Sequence, residues 1–351
     1  SSRKIFSGGR TLMADNTAMR RNSAYVSGIS GAAGGHAGAR GTLDESMEKR
    51  IGRLMGESRG KVAGGRVADY IPELAKVDAT CFSVSTCTMD GIISHSGDID
   101  RRFTMQSVSK LFSLALALEM LGTEAVFSKV GMNPTSEPFN SILKLEMSHS
   151  HKPMNPMINA GAIAVVSILP FATSEEKFRA VCGLVRRMSA NPSIEMDERV
   201  YLSEKRTGDR NRALAYFMKS TGDIAGDVEE HLDAYFRQCS ISATTDDLAV
   251  MGATIASDGV CPIDGKWVVS PSVCHILRAM MVTCGMYDGS GEFALRVGIP
   301  AKSGVSGDIL AAVPRRLGIG VWGPSLDEKG NSLAGFDFLE LFARELELRS
   351  I

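Results

Sequence analysis

The pattern of apolar and polar positions changes twice along the chain. Residues 81–88 alternate like a half-buried strand, and Asp90-Gly91 predicts a tight turn into a second strand at 92–95. Near the other end, Asp264-Gly265 predicts a turn before a short strand at 267–269. Short apolar runs separated by Gly and Pro, typical of strands, follow at 292–301, 309–313 and 317–322. Strands are therefore expected at both ends of the globular region.

Helical periodicity dominates between these strands. An apolar helix is expected at 107–121, and amphipathic helices are expected at 175–189, 211–219, 228–238 and 246–257. The last of these opens with Thr244 and Asp247, which are spaced like a capping box. Further helices are expected at 43–56, 67–74 and 336–348. This order predicts an α/β (α+β) fold with a mixed antiparallel sheet, flanking helices and an inserted helical lobe.

The first 42 residues differ from the rest in composition. They are rich in Gly and Ser and carry one acid, Asp15, against six basic residues. This composition predicts a flexible basic tail, although an organelle transit peptide has a similar composition. Residues 43–351 are expected to form one domain, with an α/β lobe from 43–124 and 259–351 and a helical lobe at 125–258.

Charge and cysteine usage narrow the class of protein. The net charge of −1 offers no field for recruiting nucleic acid or an anionic membrane. The longest apolar run, 111–121, is interrupted by Ser113 and Glu119 and is shorter than a membrane span, so it is expected to be a buried helix. The seven cysteines form no CxxC pair, which favours a reduced compartment. A cytoplasmic protein is therefore expected, with the mitochondrial matrix as the alternative.

No metal site or cofactor is expected from the sequence. The six histidines form no HExxH or other common ligand spacing. His149 and His151 are close enough in sequence to share a metal ion, but a solvated loop explains the same pair.

The strongest candidate chemistry lies at Ser107 and Lys110, which form an S-x-x-K pair. Residues three apart at the start of a helix lie on one face, so the amine can reach the hydroxyl. Burial would lower the pKa of Lys110 and allow the neutral amine to act as a base. The unpaired N–H groups of a helix N-terminus would stabilise a developing oxyanion.

The S-x-x-K pattern alone is weak evidence, because it recurs elsewhere in the chain, including at Ser1, Ser58, Ser141 and Ser174. Ser107 alone stands between a predicted strand and a long apolar helix, whereas Ser174 is expected to cap a helix. A second motif supports Ser107. Lys302-Ser303-Gly304 is the K-[S/T]-G element that penicillin-recognising enzymes place on a strand beside the S-x-x-K nucleophile.

The chain resembles the serine-dependent glutaminase family, which has the β-lactamase-like fold. The matching segments run in family order from about residue 60 to 340 and cover the predicted globular region. They are 67–75, 106–110, 155–162, 203–204, 207–211, 235–240, 284–288 and 300–305.

The resemblance implies a role for each matching polar residue. It implies that Ser107 is the nucleophile and Lys110 its general base, with the backbone N–H groups of Ser107 and Val305 as the oxyanion hole. Six further side chains would surround L-glutamine: Tyr70, Asn159, Glu204, Asn211, Tyr235 and Tyr287. Tyr235 or Tyr287 would also assist proton transfer.

The residue types suit such a ligand. An acid such as Glu204 can bind the α-ammonium of glutamine, and amide or hydroxyl donors can bind its α-carboxylate. Each residue also has a structural explanation, because asparagines cap turns and helices and a tyrosine can fill a core. Asp209 and Arg210 are expected to form an ion pair.

Three other functions are compatible with these motifs. A β-lactamase or DD-peptidase would share Ser107, Lys110 and Lys302, but the S-x-N at Ser189 lies at a predicted helix end. A binding protein on the same fold would have no need of an intact Ser107/Lys110 pair. An amidase for asparagine or γ-glutamyl compounds is close in specificity, because one methylene changes binding by only about 1–3 kcal/mol. Family resemblance also implies a homo-oligomer, a tetramer, and possible activation by anions.

Overall fold

The computed structural model describes residues 46–135, 140–142, 145–146 and 152–351. The predicted tail at 1–42 and the pair His149/His151 lie outside these residues. Within them the chain forms two antiparallel sheets surrounded by helices, which confirms the predicted fold class.

The larger sheet is built from the two ends of the described chain, as the strand patterns predicted. Its five strands are β1 (Ser83–Thr88), β2 (Ile93–Gly97), β6 (Ala301–Ser303), β7 (Asp308–Val313) and β8 (Leu317–Trp322). They lie in the order β2-β1-β8-β7-β6, and every pair is antiparallel.

Helices cover both faces of this sheet, so β1 is buried on both sides rather than half-buried as predicted. The strand β7 shows how this works. Ile309, Ala311 and Val313 enter one core cluster with α1 (Met47–Ser58) and α11 (Leu333–Glu345). The alternate residues Leu310 and Ala312 enter the other cluster, which contains α8 (Thr245–Ala256). The capping box predicted at Thr244 and Asp247 opens α8.

A smaller sheet positions the segment that carries Ser107. Its strands are β3 (Phe103–Thr104), β4 (Glu195–Met196) and β5 (Ile241–Ala243), in the order β3-β5-β4. The N–H of Met105 extends the β3–β5 pairing by donating to Ile241 O at 2.8 Å. The chain then enters a short 3₁₀ turn, Gln106–Ser109, and the helix α2 (Lys110–Lys129).

The buried helix predicted at 107–121 corresponds to α2, which Gly122 interrupts with a non-helical φ of 81°. Among the described residues, Gln106–Lys129 is the segment long and apolar enough to cross a membrane. Its N-terminal half is buried, and the side chains from Lys110 to Leu118 pack inside the protein. A core helix of a folded domain can be as long and apolar as a membrane span, and the burial of α2 identifies it as a core helix.

The remaining helices are α3 (Asn159–Ser167), α4 (Ser174–Ser189), α5 (Glu198–Thr207), α6 (Asp209–Ser220), α7 (Val228–Cys239), α9 (Pro271–Cys284) and α10 (Ser290–Arg296). The helices α4, α6 and α7 match predicted ones within two residues. The helix α9 was not predicted, although Ser270 as N-cap and Pro271 in the first turn are both start signals.

Three predicted elements are wrong. Residues 267–269 form no strand, and Trp267 makes only an isolated bridge with Val260. Residues 67–74 form no helix but an irregular segment ending in a 3₁₀ turn, Leu74–Lys76, because Pro72 cannot donate a helical hydrogen bond. Ile71 and Leu74 instead pack against Tyr287 and Val305. Residues 292–301 are not one strand. Phe293 and Val297 are spaced four apart and bury on the sheet core, so helix α10 precedes the short strand β6.

Two local predictions also need correction. Thr173, not Ser174, is the N-cap of α4, where it forms a capping box with Glu176. Asp209 pairs with Arg212 at 3.4 Å, while Arg210 donates to Asn140 O at 2.9 Å. The first turn of α6 thus makes the i,i+3 contact that helical geometry favours.

Candidate active site

Ser107 lies in the 3₁₀ turn between β3 and α2 and is 7% exposed. Gln106, the residue before it, has a φ of 43°, a strained conformation for a non-glycine residue. The Ser109 hydroxyl supports this conformation by donating to Gln106 O at 2.6 Å. The turn therefore holds Ser107 in a fixed backbone conformation at the start of a core helix.

Lys110 is buried below Ser107, with 1% of its surface exposed. Its Nζ donates to Asn159 Oδ1 at 2.7 Å and to Met157 O at 3.1 Å. Burial lowers the pKa of Lys110 to about 8, against the opposing effects of Cys239 and Glu204. The amine is therefore partly neutral near physiological pH, as the sequence predicted for a base. Within the described residues its hydrogen bonds go to α3 and the loop before it rather than to Ser107.

Tyr287 lies beside Ser107 and has a φ of 55°. Burial raises the pKa of Tyr287, whereas the neighbouring Ser107 lowers it. Two strained residues, Gln106 and Tyr287, therefore meet at one buried hydroxyl, an arrangement common at functional sites.

The predicted ligand residues form a polar cluster that continues from Lys110. Asn159 is the first residue of α3, and its Nδ2 donates to Asn211 Oδ1 on α6 at 2.9 Å. Glu204 on α5 is 6% exposed, and burial raises its pKa to about 7, although Gln106 and Lys110 oppose this. The cluster can therefore offer amide groups and an acid to one small polar ligand.

Two tyrosines complete the cluster. Burial raises the pKa of Tyr235 on α7 well above its usual value, and Cys239 and Glu204 add to this effect. The Tyr70 side chain is half exposed, but its hydroxyl faces the site. The pKa of this hydroxyl is raised well above its usual value, chiefly by burial and also by the nearby Glu204 and Tyr287. The hydroxyl end is thus enclosed while the ring edge reaches solvent.

Val305 lies in the turn that joins β6 to β7 and is 4% exposed. It belongs to the small apolar cluster that contains Tyr287. The structure therefore brings together all nine residues that the sequence proposed: Tyr70, Ser107, Lys110, Asn159, Glu204, Asn211, Tyr235, Tyr287 and Val305.

Lys302, in the K-[S/T]-G motif, is fully buried on β6. Its Nζ donates to Ser303 O at 2.6 Å and to Gly285 O at 3.0 Å, and it lies 4.5 Å from the centroid of the Tyr287 ring. Burial and the nearby Lys110 lower the pKa of Lys302 well below its usual value. The motif thus packs against Tyr287, which neighbours Ser107.

Sequence reasoning missed several residues of this site. The Gln106 side chain hydrogen-bonds Glu204 and also donates to Thr104 Oγ1 at 3.1 Å. Cys239 hydrogen-bonds both Tyr235 and Ser109, and burial raises its pKa to about 12. The spacing of Cys239, four residues after Tyr235 on one helix, is a signal that could have identified it. No sequence pattern distinguishes Gln106.

No metal site is built into the described part of the chain, where no three His, Cys, Asp or Glu side chains converge as ligands. The pair His149/His151 lies outside it. The described residues of the site offer a buried hydroxyl, two buried amines, a buried acid and two buried tyrosines.

The fold and this cluster define the class of the β-lactamase-like hydrolases. The family model for glutaminase matches residues 65–350. The chain belongs to the glutaminase family, and it is an amidohydrolase.

Named relatives match nearly the whole described region. The glutaminase of Clostridium botulinum (strain Loch Maree / Type A3) is 52% identical over 302 residues, which cover 86% of this chain and 99% of that protein. Glutaminase 2 of Clostridium perfringens (strain 13 / Type A) is 49% identical over the same shares.

Solved structures agree with this assignment. A Bacillus glutaminase crystallised in the presence of 4.3 M NaCl superposes with a TM-score of 0.80 at 38% identity, covering 86% of this chain and 99% of that one. A probable glutaminase from Bacillus subtilis complexed with 6-diazo-5-oxo-L-norleucine gives a TM-score of 0.80 at 37% identity, covering 89% and 99%. The predicted resemblance is therefore confirmed.

Proposed function

We propose that this chain hydrolyses L-glutamine to L-glutamate and ammonia through a γ-glutamyl ester on Ser107. The observation that carries the proposal is the buried Ser107 hydroxyl, which lies beside Tyr287 and one helical turn from the partly neutral Lys110. A hydroxyl with a neutral amine and a tyrosine beside it is an activated nucleophile for acyl transfer.

Acylation begins when Lys110 takes the Ser107 proton and the oxygen attacks the side-chain amide carbon of glutamine. The carbonyl oxygen becomes a tetrahedral oxyanion, which the backbone N–H groups of Ser107 and Val305 bind. A proton passes from the Lys110–Tyr287 pair to the amide nitrogen, the carbon–nitrogen bond breaks, and ammonia leaves. The product is an ester between Ser107 and the γ-carboxyl.

Deacylation repeats these steps with water. The same basic groups take a proton from water, the hydroxide attacks the ester carbon, and the Ser107 oxygen leaves with a proton. The net reaction consumes one water and returns every catalytic group to its starting state. Tyr235, which lies near Cys239 and Glu204, is the second tyrosine that can carry a proton.

The ends of glutamine are assigned by charge. Glu204 would bind the α-ammonium, while Asn159, Asn211 and the hydroxyl of Tyr70 would surround the α-carboxylate. The support is that these side chains converge from four separate segments, with Asn159 and Asn211 already hydrogen-bonded at 2.9 Å. Buried amide and hydroxyl groups that lose their partners weaken binding strongly, so such a site is selective for an amino acid.

The decisive experiment is ammonia release from L-glutamine, run beside L-asparagine, D-glutamine and nitrocefin. Ser107→Ala should lower kcat by at least about 10³-fold, because the covalent route is lost. Ser174→Ala is the matched control, since Ser174 and Lys177 form another S-x-x-K pair, away from the cluster. Added hydroxylamine should divert wild-type turnover into γ-glutamyl hydroxamate, which requires an acyl intermediate.

Other outcomes select other functions. Turnover of L-asparagine above L-glutamine would make the protein a related amidase. Turnover of nitrocefin with inert glutamine would place it with the penicillin-recognising enzymes. Inactivity on every substrate, with and without phosphate, would favour a binding protein.

We also propose that the protein works in the cytoplasm as a homotetramer. All seven cysteines lie in the described part of the chain and are free and buried, which supports a reduced compartment. The tetramer rests on family resemblance and is tested by light scattering of the full chain during gel filtration.

A further inference from the structure

The turn between β6 and β7 carries the Val305 N–H that the proposed mechanism uses. Within this turn, Gly304 O accepts from Gly307 N–H at 3.0 Å. Because a trans peptide directs its C=O and N–H in opposite directions, this bond fixes the direction of the Val305 N–H in the same peptide. Whatever holds the turn therefore sets the geometry of that donor.

Asp308, the first residue of β7, holds the turn from the inside. Its backbone oxygen accepts from Gly304 N–H at 2.8 Å, and its Oδ1 accepts from the Ser306 hydroxyl at 2.7 Å. The carboxyl is fully buried beside Gly304, where a Cβ would lie 2.1 Å from Asp308 Oδ1 and 2.8 Å from Met105 O. The carboxyl thus lies between the turn and the segment that leads into Ser107.

The rest of the turn is anchored from β8. Trp322 Nε1 donates to Ser306 O at 3.0 Å, and Gly323 N–H donates to Gly307 O at 3.0 Å. These bonds hold residues 306 and 307 only. The side-chain link between Ser306 and Asp308 ties this anchored half to the strand itself.

This arrangement is costly to the folded protein. Asp308 Oδ2 is buried and makes no hydrogen bond within the described residues. Burial raises the pKa of Asp308 to about 7, while Ser306 and Lys302 lower it. A buried carboxyl with one unsatisfied oxygen destabilises a fold, so a purely structural role does not explain it.

We propose that Asp308 is a positioning residue for glutamine hydrolysis, holding the β6–β7 turn through Ser306 so that the Val305 N–H points at the developing oxyanion. This inference rests on the proposed mechanism, in which Val305 is an oxyanion donor. Asp308 acts through the turn and touches neither glutamine nor Ser107.

Steady-state kinetics of variants test the inference. Asp308→Val removes the acceptor, and we expect kcat to fall about 10²–10³-fold, as when an oxyanion donor is lost. KM should stay within about threefold, because the donor acts on the transition state. Asp308→Asn keeps an oxygen acceptor for Ser306 and should retain kcat within about threefold.

Ser306→Ala breaks the same bond from the other side and should lower kcat about 10-fold with KM unchanged. The double variant Ser306→Ala/Asp308→Val should be no slower than Asp308→Val alone, because the Ser306 hydroxyl acts on the turn only through Asp308. Asp247→Val is the matched control, since Asp247 is also buried and accepts a hydroxyl, that of Thr244, at 2.9 Å on α8. It should lower stability and leave kcat unchanged.

Stability gives an independent readout, because Asp308→Asn is expected to stabilise the fold while it leaves kcat nearly unchanged. The folded-state pKa of Asp308 lies above that of an unfolded aspartate, so the stability due to the neutral carboxyl is present at low pH and is lost as pH rises through about 7. Asparagine resembles the neutral carboxyl at every pH. Asp308→Asn should therefore raise the urea midpoint above pH 7 and change it little at low pH.

Wild-type kcat in Asp308→Val or in Ser306→Ala would overturn the inference. So would an Asp308→Asn variant as slow as Asp308→Val, because charge and not the turn would then be responsible. If Asp308→Val does not fold, Ser306→Ala and Asp308→Asn carry the test. Failure of the underlying mechanism is distinguishable, because Ser107→Ala would then retain activity.

Discussion

At the scale of single residues, the site depends on buried groups whose pKa values are shifted toward pH 7 by burial. Lys110 is lowered to about 8 and Glu204 is raised to about 7, in each case chiefly by burial. A partly neutral amine suits a base, and an acid that titrates near pH 7 makes binding of a cation depend on pH. The desolvation that destabilises both charges thus prepares the site for proton transfer.

Glu204 gives a prediction for the pH dependence of binding. Below about pH 7 the Glu204 carboxyl is neutral and attracts the α-ammonium of glutamine less, so KM should rise as pH falls. Glu204→Gln should have a high KM at every pH and no such inflection. Steady-state kinetics with L-glutamine from pH 5.5 to about 8 measure this. A wild-type KM that stays constant below pH 7 would contradict the role of Glu204.

Lys110 gives a second prediction, for the chemical step. Because the neutral amine is the base, kcat should rise with pH and level off above about pH 8, where Lys110 has lost its proton. Lys110→Met should lower kcat by about 10²–10⁴-fold, the usual contribution of a general base. Lys302→Met tests whether the second buried amine is responsible instead. A pH–kcat profile that keeps its midpoint in Lys110→Met would assign the base elsewhere.

At the scale of secondary-structure elements, the close approach of α8 to the large sheet is the most demanding contact. A Cβ at Gly318 on β8 would lie 2.0 Å from Ala253 N and 2.1 Å from Ala249 O, and one at Gly252 on α8 would lie 2.4 Å from Ala311 O. Small residues on both surfaces let the helix backbone contact the strand backbone.

Gly318→Ala should therefore destabilise the fold by about 1–3 kcal/mol, since backbone atoms have to move to admit the methyl group. Gly56→Ala is the control, because Gly56 lies in α1 with nothing within 4 Å of its Cβ position. That change should stabilise by about 0.4–1 kcal/mol. Urea unfolding of both variants measures the difference, and equal midpoints would contradict the packing argument.

Most of these elements could be predicted from local pattern, and the failures have physical causes. The strands at both chain ends and the helices α4, α6, α7 and α8 follow from periodicity and capping residues. Residues 67–74 have helix-like spacing, but their apolar side chains pack against Tyr287 and Val305 across the fold. Contacts between distant segments override local preference there.

Some residues of the candidate site could likewise be predicted from the sequence, and others could not. Ser107 and Lys110 are only three residues apart, so their spacing is visible in the sequence, and the family resemblance supplies the other seven residues. Gln106 is distinguished by a strained φ, and Asp308 by a buried carboxyl next to Gly304. Both features arise only when the chain is folded. No pattern of residue types along the chain predicts either feature.

At the scale of the whole molecule, the predicted lobes remain a proposal: an α/β lobe from 43–124 and 259–351, and a helical lobe at 125–258, within one catalytic domain. Helix α8 belongs to the middle segment in sequence, yet it packs against the sheet strands β1, β7 and β8. The division between the lobes is therefore not a clean cut along the chain.

The cysteines allow a prediction for the intact protein. All seven are buried and free, and burial raises the pKa of Cys87, Cys239 and Cys274 to about 12. Ellman's reagent should react slowly with the native enzyme and should titrate seven thiols in denaturant. Dithiothreitol should leave activity unchanged. A fast-reacting native thiol, or fewer than seven in denaturant, would contradict the prediction.

The pairing of β1 with β8 also affects how the enzyme is made. The residue opposite Ser83 on β8 is Trp322, so more than two hundred residues are synthesised between the two strands. The residues around Ser107 leave the ribosome early but cannot adopt their final geometry until the C-terminal strands arrive. A truncated or stalled chain would carry the whole S-x-x-K motif and still be inactive, and its unpaired β1 edge would be a target for chaperones.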